Sequence, residues 1–130
     1  MKSVFIVDDD PTIRNSLEDY LGFRGFDVMA FNNGQLVSRV LEYGTPDLII
    51  SDIRMPELNG ISLLRRLKKS EKTRNIPVIL MSAYEDDAIL KDAKKLGADF
   101  FLFKPFPLDR LDKLIEKILR TMENKSGKGT

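Results

Sequence analysis

The sequence predicts an α/β domain with a five-stranded, doubly wound parallel sheet and helices on both faces. Three observations carry that prediction. Short apolar runs recur along the chain (VFIV at 4–7, LII at 48–50, VILM at 78–81, FFLF at 100–103), and none alternates polar with apolar residues, so each suits a strand covered on both sides. Segments with apolar residues at helical spacing lie between them. The two kinds of segment alternate strictly, which calls for right-handed crossovers and a parallel sheet rather than hairpins.

The elements follow in order. A weaker run, FDVMAF at 26–31, is interrupted by Asp27 and suits an edge strand. Asp10-Pro11 reads as an N-cap followed by proline at the first helical position, and Ile13, Leu17, Tyr20 and Leu21 then form one apolar face. Leu36, Val37, Val40 and Leu41 mark a second helix. Ile61, Leu64 and Leu67 mark a third, with Arg65, Arg66, Lys68 and Lys69 facing water. Ala88, Ile89, Ala93 and Leu96 mark a fourth, which Gly97 stops. Leu108, Leu111, Leu114, Ile115, Ile118 and Leu119 mark the fifth. NKSGKGT at 124–130 has no apolar residue and is expected to be irregular. The expected division is a domain over 1–122 and a disordered tail, or the start of a linker, over 123–130.

Composition narrows the chemistry. The 130 residues make one domain's worth of chain. With 21 basic and 20 acidic residues, no strong net charge points to nucleic acid or membrane as a partner. There is no cysteine, so disulfides and thiol chemistry are excluded, and no histidine, so imidazole bases and ligands are excluded. Carboxylates, lysines and hydroxyls must carry whatever happens here. No apolar run reaches membrane-spanning length and no signal peptide is visible, so a cytoplasmic location is expected.

In open α/β sheets, ligands bind beyond the carboxyl ends of the strands. Asp8, Asp9 and Asp10 follow the first strand, Asp52 the third, Ser82 the fourth and Lys104 the fifth. Each has an ordinary reading alone: Asp10 as a helix cap, Asp52 and Ser82 as turn or cap residues, Lys104 as a solvated lysine. Together they place carboxylates, a hydroxyl and an ammonium on one rim. Clustered carboxylates repel unless a cation neutralises them. Mg²⁺, which binds through a few carboxylates and keeps waters for a phosphate, suits the set. Lysine and hydroxyl then suit phosphoryl oxygens.

These residues resemble the receiver domain of bacterial two-component response regulators over residues 2–122. The matching stretches are VFIVDDD, LIISDIRMPELNG, VILMSA, GAD and FKPF, in order and at the family's spacing. The resemblance implies a flavodoxin-like fold with strand order 2-1-3-4-5. It implies that Asp52 accepts the phosphoryl group, and that Asp9, Asp52 and the Arg54 carbonyl bind Mg²⁺ (or Mn²⁺), with Asp8 acting mostly through water. Ser82 and Lys104 would contact phosphoryl oxygens, Ser82 and Phe101 would form the switch, and the Lys104-Pro105 bond would be cis. The implied partners are a sensor histidine kinase or phosphotransfer protein and an output domain or target protein, with no nucleic acid or membrane bound by this segment. Such a domain catalyses its own phosphorylation and dephosphorylation and is not a turnover enzyme.

The chain departs from the commoner pattern in two places. Phe101 stands where tyrosine is usual, and Arg54 and Tyr84 occupy positions that tune dephosphorylation. Two rivals compete with this reading. Asp8-x-Asp10-x-Thr12 fits the signature of haloacid-dehalogenase-type phosphatases, with Asp8 as nucleophile, although that leaves the MPELNG stretch unexplained. A receiver that binds partners without phosphorylation is the other, and the filled site positions argue against it.

Overall fold

A computed structural model describes residues 2–54, 59–83, 87–98 and 100–128. Residues 1, 55–58, 84–86 (Tyr84 among them), Asp99 and 129–130, and the side chains of Asp87, Ile89 and residues 124–128, lie outside what is described, so the expectations placed on them are not addressed. The elements run β1 (Ser3–Val7), α1 (Pro11–Phe23), β2 (Asp27–Phe31), α2 (Gly34–Val40), β3 (Leu48–Asp52), α3 (Gly60–Lys69), β4 (Val78–Ser82), α4 (Asp87–Lys95), β5 (Phe100–Phe103) and α5 (Leu108–Lys128). The strands form one parallel sheet in the order β2-β1-β3-β4-β5, as expected.

Successive strand residues point to opposite faces, and two apolar cores result. Val4, Ile6, Leu48, Ile50, Ile79 and Met81 pack with Leu17 and Leu21 of α1 and Leu111, Ile115 and Ile118 of α5. Phe5, Val7, Ile49 and Leu80 pack with α2, α3 and α4 on the other face. The central strands are therefore apolar at almost every position. The edge strand β2 is exposed at Asp27 and Met29, which is why its sequence is the least strand-like.

The helix faces differ from the sequence reading in places. In α2 and its C-cap, Val37 and Leu41 are buried but Leu36 is 40% exposed. Neighbouring helical residues are about 100° apart, so Leu36 and Val37 cannot share a narrow contact. Leu108 at the start of α5 is also 40% exposed, and Ala88 is exposed. At the other end, α5 continues to Lys128 where composition suggests irregular chain. Propagating a helix costs far less than starting one, so a polar segment can prolong a helix already nucleated by the packed residues before it. No helix among the described residues is long and apolar enough to cross a membrane.

Gly97 ends α4 with a positive φ of 96°. Its N–H donates to the Lys94 carbonyl, and the Ala98 N–H donates to the Ala93 carbonyl at 3.0 Å, the Schellman pattern that turns the chain into β5. A Cβ at position 97 would also lie 3.4 Å from Lys68 Cε. Gly97→Ala is expected to lose about 1 kcal/mol in urea denaturation. Gly44→Ala, which meets open space, should stay within about 0.5 kcal/mol of wild type. Equal effects at both sites would refute the backbone argument.

Candidate functional site

The carboxyl ends of β1, β3, β4 and β5 bring the expected residues to one rim. Asp8, directly after β1, is fully buried, and every polar group it has is engaged. Its N–H donates to the Phe31 carbonyl of β2 at 3.1 Å. Its Oδ1 accepts from the Asp10 N–H at 3.0 Å and its Oδ2 from Lys104 Nζ at 2.8 Å. Its carbonyl accepts from Arg14 Nη1 at 2.8 Å. Asp10 caps α1 by accepting from the Thr12 N–H. The loop that carries Asp9 is thus held on both sides, while Asp9 itself is exposed.

Asp52 ends β3 with its side chain 13% exposed, and its Oδ2 accepts from Lys104 Nζ at 3.1 Å. One ammonium therefore bridges two carboxylates from different strands. The cis Lys104-Pro105 bond follows β5, and the Lys104 N–H donates to the Ser82 carbonyl at 2.7 Å. Ser82 closes β4 and is buried. In the sheet register Leu80 faces Phe101 and Ser82 faces Phe103. Strand alternation accordingly puts Ser82 and half-buried Phe101 on the same face of the sheet.

Beyond Asp52 the backbone is tightly constrained. The Gly60 N–H donates to the Ile53 carbonyl at 2.9 Å. A Cβ on Gly60 would lie 2.4 Å from the Asp52 carbonyl oxygen, so only glycine lets α3 start there. Asn59 caps the helix by accepting from the Ser62 N–H at 2.9 Å.

Carboxylate oxygens of Asp8, Asp9 and Asp52 all lie within 4.8 Å of one another. An all-oxygen, acidic donor set with one exposed member fits a hard divalent cation such as Mg²⁺. The electrostatics agree. Burial raises the Asp52 carboxyl above its ordinary value of 3.8; Lys104 opposes this and Asp8 adds to it. For Lys104, burial alone would lower the ammonium, but its bonds and attraction to Asp8 and Asp52 outweigh that and raise it above 10.5. The lysine is charged throughout the neutral range.

Sequence reasoning located the three aspartates, Ser82 and Lys104, but missed Arg14. Its guanidinium fixes the Asp8 carbonyl from α1. The available signal was position: Arg14 falls one helical turn after the Asp10 cap, which brings a long side chain back over the strand end.

A raised carboxyl means that the folded state holds the proton more tightly than the unfolded one. Its contribution is favourable at low pH and is lost as pH rises from 3.8 through the folded value. Without metal, ionised Asp52 therefore weakens the fold at neutral pH. Asp52→Asn, in the presence of a chelator, should raise the urea midpoint at about pH 7, with the gain shrinking as pH falls toward about 4. A pH-independent difference, or a lower midpoint at neutral pH, would contradict this electrostatic assignment.

The profile described as the response regulator receiver domain matches residues 4–116. The transcriptional regulatory protein FixJ of Bradyrhizobium diazoefficiens is 38% identical over 92% of the chain. The chain spans 58% of that regulator and about a quarter of the Escherichia coli regulators AtoC and NtrC, to which it is 35% and 39% identical. Among solved structures, the receiver domain of a signal transduction histidine kinase from Syntrophus aciditrophicus aligns with a TM-score of 0.87 and 35% identity, covering 93% of this chain and 92% of that one. The receiver domain of the sensor histidine kinase PA1611 from Pseudomonas aeruginosa, solved with a magnesium ion in its active-site cleft, aligns at 0.82 with 26% identity, over 89% of this chain and 95% of that one. The phosphatase-type reading of Asp8 and Asp10 finds no support. Sheet order, acidic rim and sequence matches converge, and the chain belongs to the response regulator receiver domain family of two-component signal transduction.

Proposed function

We propose that this receiver domain accepts a phosphoryl group on Asp52 from a sensor histidine kinase, a phosphotransfer protein or a small phosphodonor, and relays the change to an output domain or partner. The observation that carries the reading is the Lys104 ammonium, held between Asp8 and Asp52 beside a converging acidic triad. Asp8, Asp9 and Asp52, with the Arg54 carbonyl, would hold Mg²⁺ or Mn²⁺, which when bound neutralises charge on the transferring phosphoryl oxygens.

An Asp52 carboxylate oxygen attacks phosphorus, and the bond to the donor's leaving group breaks with its electron pair. Lys104, permanently charged, turns from Asp52 to a phosphoryl oxygen. Ser82 donates its hydroxyl to another. Because Ser82 and Phe101 share a face of the sheet, an inward shift of Ser82 opens space for the ring. Serine lacks the methyl of threonine, so the steric part of this coupling is weaker. Hydrolysis resets the domain, which turns over no external substrate.

A cleft of about 620 Å³ beside Lys104, lined by Ile13, Leu17, Phe106 and Leu108 among others, gives a phosphodonor's helix room to dock. The reading includes a receiver unit over 1–122, with 123–130 leading out of it, and a cytoplasmic location.

Acetyl phosphate with Mg²⁺ should add one phosphoryl group, mapped to Asp52 by mass spectrometry after reduction of the acyl phosphate. Asp9→Ala should abolish the labelling and lower Mg²⁺ affinity at least about tenfold with the fold intact. Phosphate mapped to Asp8, or undiminished Mg²⁺ binding by Asp9→Ala, would overturn the proposed roles.

A further inference from the structure

Away from the acidic rim, on the face covered by α2 and α3, a second cleft of about 240 Å³ opens between those helices. Leu41, Leu63 and Leu67 form its floor, and Arg66 and Lys72 line it together with Glu42. Its surroundings are strongly basic. Over residues 65–74, Arg65, Arg66, Lys68, Lys69, Lys72 and Arg74 stand against Glu71 alone, in a chain of net charge +1.

Arg65, Arg66 and Lys69 are exposed, and among the described residues none of them forms an ion pair. The helix dipole favours cations in the last turn of α3. It does not account for Arg65, which forms a repelling i,i+4 pair with Lys69, nor for Lys72 and Arg74 beyond the helix. The cleft is also preformed. Thr73 Oγ1 donates to the Leu67 carbonyl at 2.7 Å, and the Arg74 N–H to the Ser70 carbonyl at 2.8 Å. Lys72 Nζ donates to the Glu42 carbonyl at 3.2 Å, pinning its turn to the one that follows α2, and keeps two further N–H donors for a ligand.

We infer that this α2–α3 cleft docks an acidic peptide segment of a partner protein. An apolar side chain of that segment enters over Leu41, Leu63 and Leu67, and its carboxylates meet Arg66, Lys69 and Lys72. Nucleic acid is the poorer fit, because among the described residues no aromatic ring lines the cleft for a base to stack on and a phosphate backbone has nothing to set on a leucine floor. The inference stands apart from the chemistry at Asp52.

The test is titration of the ¹⁵N-labelled chain with three probes: a short peptide alternating Glu and Leu, the same peptide with Gln for Glu, and a single-stranded RNA of matching charge. The Glu peptide should shift the amides of Ser38, Leu41, Arg66 and Thr73, and its binding should weaken with added salt. Arg66→Glu with Lys72→Glu should weaken that binding by about tenfold or more, with the chain still folded and acetyl phosphate labelling unchanged. Equal binding of the Gln peptide, shifts centred elsewhere, or tighter binding of the RNA to this face would overturn the inference.

Discussion

The site depends on one interaction, the ion pair between the Lys104 ammonium and the fully buried carboxylate of Asp8. A buried charge is tolerated only when it is paired and hydrogen-bonded, and losing one partner of such a pair costs about 3–5 kcal/mol. Here the pairing joins β1 to the loop after β5, across the full width of the acidic rim. The main-chain N–H of Asp10 and the guanidinium of Arg14 complete the arrangement. With Asp8 immobilised, Asp9 is the exposed member of the acidic cluster and Asp52 the partly exposed one. The same lysine reaches Asp52, so any species that replaces it there must offer it negative charge in exchange.

The fold supplies that geometry through the sheet order. With β1 and β3 adjacent and β4 and β5 beyond them, strand ends far apart in sequence open on one edge. The interior strands, apolar on both faces, fix the register; a shift by one residue would turn Asp52 away from Lys104 and reverse every core contact. The two cores therefore stabilise the domain and aim the site at once.

Much of this was legible in the sequence. Unbroken apolar runs identified β1, β3 and β4 because both of their faces are buried, and the edge strand β2 stood out through Asp27; β5 carries the unbroken run FFLF although it is the other edge, with only Leu102 fully buried. The rim residues were legible because strand ends gather function in this architecture. The exposed sides of Leu36 and Leu108 were not, since helical spacing defines a face without saying how wide a contact the neighbouring layer offers. Arg14 was missed for another reason: its place one turn after the helix cap was readable, but its partner is a main-chain carbonyl, which no residue type in the sequence marks. The α2–α3 cleft was only half visible. Its cations could be counted, but the leucine floor and the Lys72 tether depend on two helices meeting.

The approach of Gly60 to the Asp52 carbonyl has a consequence for how this chain can vary. The hydrogen bond from the Gly60 N–H to the Ile53 carbonyl ties the first residue of α3 to the residue that follows Asp52, and the missing Cβ lets the two backbones meet. Any larger residue at position 60 would have to lever the start of α3 off the end of β3, and the Asp52 carboxylate would move with the strand end that carries it. A position with no side chain and no charge thus limits the acidic rim as firmly as the charged residues on it.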